Sequence, residues 1–432
     1  MTDKKGNIIL APGPLHLFWT GGVYYLWELS RCYRVILVVD DAYEKDKDFK
    51  KAVELADVLD VLYMPGRSII KKHRYYANEF KQAVKKYRPQ FIFHHDPVYV
   101  SMMYLYYWGS KIVPPALRIS YLNGMSVSEN IDKDIKSVVD FGVASIANKY
   151  HLPNKFARFL FKITGSLLLL LDYYLLPILF IRKSFSPPMD PYTFARLKDY
   201  WNDQFDFYLL YDSLGRRVMG KWFGSDDGIR EIQHPVKTVG EELNRVLYGF
   251  KEENNVLILP SYGDLNRYQK ENNKSNEDIV EMMSSKWVEA ISMMKMKFPD
   301  HNFFWKLHPA QKTDLLWNEI TNRIQRRYPE ITILLPEENA QKWILKSKVI
   351  VGEVSSVLWW SSFFANKITI SLDIFGISFM DFFKYYTGVH YFNNLEDLYA
   401  TDFAKQIEVL EKNNPEQKLS DFLNEVQVNG TN

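Results

Sequence analysis

Apolar residues along this chain fall into short continuous runs instead of alternating with polar ones. Ile8-Ile9-Leu10-Ala11, Val35 to Val39, Val58 to Tyr63, Phe91-Ile92-Phe93, Leu117 to Tyr121 and Phe207 to Tyr211 are such runs. Segments of helical character separate them, among them Gly22 to Ser30 and about Tyr75 to Tyr87. Unbroken apolar runs of this length predict strands covered on both faces, as in a parallel sheet flanked by helices.

The pattern stops at the charged, Asn-rich stretch Lys251 to Asn255 and then restarts. Val256 to Leu259, Phe303 to Leu307, Ile331 to Leu335, Val349-Ile350-Val351 and Ile368 to Leu372 predict a second sheet. Helices are expected from Glu277 to Met296, from about Asp314 to Arg327 and at Trp343 to Ser347. The chain has 432 residues, more than a single hydrophobic core normally serves. The expected class is α/β, with two Rossmann-like domains and a cleft between them. The first covers 1–245, the second 254–400, and 401–432 forms a C-terminal helix and tail.

An insert at 151–188 breaks the alternation. Its apolar stretch runs from Ile163 to Ile181, near the ~20 residues that span a bilayer. Asp172 and Pro177 interrupt it, and a charge at the bilayer centre costs at least ~2.5 kcal/mol. Lys155, Arg158 and Lys162 flank one side, and Arg182 and Lys183 the other. The expectation is a helical hairpin or interfacial helix on an anionic membrane surface, with peripheral contact through 155–183. A buried pair of core helices and a true span are the alternatives.

Composition narrows the partners. Net charge is +2 and long like-charge blocks are absent, so phosphate-tracking nucleic-acid binding is not expected. Cys32 is the single cysteine, which excludes an internal disulfide and a thiolate metal cage. The N-terminus lacks the apolar region and cleavage site of a signal peptide, so a cytoplasmic location is expected, peripheral on the inner face of the membrane.

In open parallel sheets ligands bind beyond the carboxyl ends of the strands, so the residues following each strand carry the candidate chemistry. In the second half these are Ser261-Tyr262-Gly263-Asp264, Lys306-Leu307-His308-Pro309 and Glu353-Val354-Ser355-Ser356. A serine pair opening a helix offers hydroxyls and backbone N–H groups to a phosphate; taken alone, it is also an ordinary helix cap. Lys306 and His308 supply positive charge for a departing phosphate, and Pro309 fixes the turn that aims the histidine.

These residues carry a resemblance. The stretch 254–376, with Lys306-Leu307-His308-Pro309 followed by Gly352-Glu353-Val354-Ser355-Ser356-Val357, resembles glycosyltransferases of the GT-B type. More narrowly it resembles bacterial sialyltransferases, polysialyltransferases, capsule Kdo transferases and CDP-glycerol glycerophosphotransferases. The resemblance implies that His308 contacts the nucleotide phosphate and that Ser355 and Ser356 hold its oxygens. Lys306, Pro309, Glu353, Ser261 and Gly263 complete the implied donor site. The leading expectation is inverting, metal-independent glycosyl transfer from a nucleotide-activated donor, CMP-linked donors among the candidates, to a glycan or lipid-linked acceptor in capsule or envelope synthesis. The nucleotide sugar is then substrate, and no cofactor is expected.

The first half is expected to supply the general base. Asn123 stands where the sialyltransferase-like families carry a carboxylate, and an amide takes no proton at neutral pH. His16, in the loop after the first strand, and Asp96, in His94-His95-Asp96-Pro97, are the two candidates. Neighbours on an extended segment point in different directions, which argues against a His-His-Asp metal site. Asp226-Asp227-Gly228 reads as a surface turn. Gly13, Gly21 and Gly22 lack dinucleotide-binding spacing. Polyol-phosphate transfer from a cytidine diphosphate donor, sugar-nucleotide epimerisation and a non-catalytic scaffold remain as alternatives.

Overall fold

The computed structural model describes residues 4–66, 68–95, 100–121, 143, 152–185, 205–212, 215–216, 219–220, 225–249, 252–260, 269, 272–308, 311–338, 340–353, 356–364, 367–374, 388–403 and 415–429. The chain divides into two compact units. One comprises Met1–Val239 together with Pro415–Asn432, the other Gly240–Asn414.

The first unit is built on strands β1 (Asn7–Ala11), β2 (Arg34–Asp40), β3 (Asp60–Met64), β4 (Phe91–His94), β5 (Leu117–Tyr121), β6 (Phe207–Leu210) and β7 (Ile229–Glu231). They pair in the order β3-β2-β1-β4-β5-β6-β7, every pair parallel. The second unit contains β8 (Glu253–Leu259), β9 (Asn302–Lys306), β10 (Thr332–Leu334), β11 (Ser347–Gly352), β12 (Ile368–Leu372) and β13 (His390–Phe392). Their order is β10-β9-β8-β11-β12-β13, again all parallel. Both sheets are Rossmann-like, and the α/β class expected from the apolar runs is the one observed.

The central strands hold the cores. Ile8, Ile9 and Leu10 in one sheet, and Val256, Leu257 and Ile258 in the other, are fully buried. Each such side chain contributes roughly 1.5–3 kcal/mol on leaving water. Capping side chains start the flanking helices. Ser275 and Asp278 close a reciprocal capping box at the start of the helix Asn276–Lys297. Asp314 accepts from Leu316 N and Trp317 N to start Leu315–Arg327.

Two edge strands, β7 and β13, are three residues each and too short to register as apolar runs. The helix Val100–Gly109 escapes a periodicity search because it is apolar all round, as a helix buried on every side is. Residues 415–432, set apart with 401–414 by the sequence reading, return to the first unit. There Leu419, Phe422 and Leu423 of the helix Leu419–Asn429 are buried, and the ring of Phe422 meets Phe207 edge-on at 5.2 Å.

The insert forms one helix from Asn154 to Ile181, with a π-type segment at Leu170–Leu175, rather than a hairpin. Pro177 does not break it. The missing N–H of Pro177 leaves the carbonyl of Tyr173 without its helical donor, and Phe185 N donates to that carbonyl at 2.9 Å. Arg182, in the left-handed region at φ 57°, ends the helix.

Candidate functional site

Each sheet has one topological switch point, where strand order reverses and a crevice opens at the carboxyl ends. In the first unit it lies between β1 and β4, paired from Ile8↔Phe91 to Ala11↔His94. In the second it lies between β8 and β11, paired through Gly352↔Leu259.

At the first switch point the loop after β1 is held from two sides. Gly13 has φ +82°, and a Cβ there would stand 2.4 Å from Cε1 and Nε2 of the His95 ring. Glycine is thus required both for the backbone conformation and for the approach of the imidazole. Tyr43 donates its hydroxyl to the Gly13 carbonyl at 2.6 Å. Burial pushes the Tyr43 hydroxyl far above its ordinary range, so it keeps that proton. His95 stacks on His94 with ring centres 4.7 Å apart, and both rings are buried. His94 Nε2 lies 3.5 Å from Ser101 Oγ. His95, the first residue after β4, therefore meets the loop after β1 at Gly13. Sequence reading did not find the Gly13–His95–Tyr43 contact, because no local pattern links residues so far apart in the chain.

His16 lies in the loop after β1, in the single helical turn Leu15–Leu17. Its side chain, and all of Asp96 and Asn123, lie outside the described residues. Asp226-Asp227-Gly228 forms a turn with Gly228 at φ +77°, and Asp226 pairs with Arg216 at 3.1 Å on the surface. Among the described residues no three His, Cys, Asp or Glu side chains group as metal ligands.

At the second switch point the backbones come close. A Cβ on Gly352 would lie 2.6 Å from the carbonyl oxygen of Leu259. Glu353 follows at once, its side chain buried at the end of β11, and its carbonyl accepts from Ser371 Oγ at 3.4 Å. Ser356 opens the helix Ser356–Ser361. Its side chain, and all of Ser261, Gly263, Pro309 and Ser355, lie outside the described residues.

His308 and Lys306 separate sharply. His308 is exposed just beyond β9. Its backbone is clamped by Gln311: His308 N donates to Gln311 Oε1 at 2.8 Å, and Gln311 N donates to the His308 carbonyl at 2.8 Å. Gln311 itself is buried. Lys306 points inward instead. Its Nζ donates to the carbonyls of Pro336 at 2.9 Å, Leu307 at 3.3 Å and Leu335 at 3.5 Å. Burial pulls its pKa down, against the opposing pull of Glu338 and Glu337. The ammonium of Lys306, expected at a departing phosphate, here ties the chain after β10 to the end of β9. The alternation of side chains along a strand puts it on the face of Phe304, opposite to the core residues Phe303 and Trp305.

Strand β8 separates β9 from β11, so their rim positions stand about 10 Å apart at the usual interstrand spacing. That gap is wider than one phosphate group. A ligand touching both His308 and the start of Ser356–Ser361 must be extended along the rim.

No family model and no curated protein matches the sequence. Solved structures are similar in fold. A UDP-GlcNAc 2-epimerase from Methanocaldococcus jannaschii is 10% identical with a TM-score of 0.52, over 98% of this chain and 99% of that one. A putative UDP-N-acetylglucosamine 2-epimerase from Listeria monocytogenes is 10% identical at 0.49, over 96% and 93%. A glycosyltransferase from Rickettsia africae ESF-5 is 13% identical at 0.44, over 98% and 97%. With its two parallel sheets, the chain has the two-Rossmann fold of the GT-B type along nearly its whole length.

Proposed function

We propose that the protein is a nucleotide-sugar enzyme, and that it transfers the sugar to a glycan or lipid-linked acceptor at the cytoplasmic face of a membrane. The observation that carries this reading is His308. It is an exposed imidazole at the rim next to the second switch point, on a backbone fixed by buried Gln311. A preorganised donor that meets developing negative charge is usually the largest catalytic contribution. In this reading the departing nucleotide lies extended along the rim, with His308 meeting one end of its phosphate chain and Ser355 and Ser356 the other. His16 or Asp96 takes the proton of the acceptor hydroxyl, whose oxygen then attacks the anomeric carbon. The step is inverting and independent of metal.

A second reading comes from the Methanocaldococcus jannaschii likeness: epimerisation of a nucleotide sugar without any acceptor. Polyol-phosphate transfer from a cytidine diphosphate donor uses the same phosphate seat.

A thermal-shift panel of CMP, CDP, UDP and GDP tests the shared core of these readings. A ligand at 100 times its Kd stabilises by ~2.7 kcal/mol, which is readily seen. Failure of all four to shift the transition would sink them together. With the preferred nucleotide known, its sugar conjugates separate the classes. Nucleotide release that requires acceptor supports transfer, and acceptor-free conversion to the epimer supports the second reading. His308→Ala is expected to lose at least tenfold in turnover. Turnover equal to wild type overturns the leaving-group role.

A further inference from the structure

We propose that the helix Asn154–Ile181 is a membrane-docking element that lies flat in one leaflet of an anionic bilayer, neither spanning it nor folding into the core. Length and composition allow this helix to cross a membrane, and only 17% of its most apolar stretch is buried. Its inner face, however, is fixed to the first unit. Tyr173, Leu176 and Pro177 are buried, and Leu169, Phe180 and Ile181 pack on that unit's core. The inner face also disposes of the one acid in the helix. Asp172 Oδ1 lies 3.0 Å from Nε2 of buried His73, whose Nδ1 lies 3.0 Å from the Tyr104 hydroxyl. A helix anchored along one side to a soluble sheet cannot be surrounded by lipid. It can lie in the interface, about 40 Å long, with its opposite side in the acyl region.

That opposite side is apolar. Phe159, Ile163, Leu167, Leu170, Leu175 and Leu179 are all exposed, Leu179 at 71%. Soluble proteins seldom leave so long an apolar strip in water. Charge identifies the occupant. Lys155, Arg158 and Lys162 recur at helical spacing beside the strip, and Arg182 and Lys183 follow its end. With Asp172 turned inward, the charged side chains on the outer face of the helix, among the described residues, are basic, which suits anionic headgroups and disfavours a second copy of the same face. The edge continues past the helix. Lys183 Nζ sits 5.1 Å over the Tyr107 ring, Lys111 Nζ 5.4 Å over the same ring, and Val113 nearby in the chain is 85% exposed. An aromatic ring beside lysines is a common arrangement at the headgroup level.

This inference deepens the membrane side of the proposed function, but its test needs no nucleotide, so either can fail alone. The full chain is sedimented with phosphatidylcholine vesicles and with vesicles mixing phosphatidylcholine and phosphatidylglycerol. Binding is expected to be about tenfold or more tighter to the anionic vesicles and to weaken with salt. The triple variant Phe159→Ser, Leu167→Ser, Leu179→Ser changes exposed positions only. It should keep its thermal midpoint and lose vesicle binding. A nitroxide on Leu170→Cys, in a Cys32→Ser background, should report a shallow depth. Equal binding to neutral and anionic vesicles, no vesicle binding, or a nitroxide at the bilayer centre overturns the proposal. So does a triple variant that turns a dimer into a monomer by light scattering while leaving vesicle binding intact.

Discussion

The imidazole of His95 closes over Gly13, so near that a Cβ on residue 13 would overlap the ring at 2.4 Å. This contact sets the loop after β1 against the first residue after β4 at the switch point of the first sheet. Gly13→Ala meets two costs, a left-handed backbone and a displaced ring, together roughly 2–4 kcal/mol. A unit of this size loses about 2–4 °C per kcal/mol. The thermal midpoint should therefore fall by roughly 5–15 °C. An unchanged midpoint would mean that His95 does not sit there.

Lys306→Met separates a structural lysine from a ligand contact. Methionine fills similar space but abandons the carbonyls of Leu307, Leu335 and Pro336. Leaving one buried acceptor, Leu307 O, and two part-buried ones unsatisfied costs about 1–3 kcal/mol. Denaturant unfolding should show that loss, while nucleotide affinity stays within about threefold of wild type. A large loss of affinity at unchanged stability would return Lys306 to the binding site.

Buried His234 gives the first unit an acid-sensitive site. Burial, and secondarily Lys237, pulls its pKa down to about 3, and its Nδ1 accepts from Val236 N at 3.1 Å. The folded state thus binds fewer protons than the unfolded state between about pH 6.5 and about pH 3. The stability this site contributes is complete above pH 6.5 and falls as pH drops through that window, by up to about 1.4 kcal/mol per unit. His234→Asn keeps an acceptor for Val236 N and removes the titration. Its stability between pH 6.5 and 4 should fall less steeply than wild type in urea titrations. Parallel slopes would show that His234 protonates without opposing the fold.

Deleting residues 415–432 removes Leu419, Phe422 and Leu423, all buried in the first unit. Several kcal/mol of apolar burial go with them. Calorimetry should show the transition of the first unit shifted down or lost and that of the second unit kept. Loss of the second transition instead would place the C-terminal helix with the second unit.

What the sequence determined by itself was local. Continuous apolar runs marked eleven of the thirteen strands among the described residues, and helical stretches marked Glu277 to Met296 and about Asp314 to Arg327, because these depend on neighbours a few residues away. Where a ligand site is to be sought was equally legible, since residues that follow parallel strands stand on the carboxyl rim. Tertiary structure decided what those residues do. It turned Lys306 onto the carbonyls after β10 while leaving His308 exposed, seated His95 on Gly13, joined Asp172 to His73 across 99 positions of sequence, and carried the last helix back to the first unit. Periodicity records which face of an element avoids water. It holds no record of which distant side chain or carbonyl will lie against that face once the chain has folded.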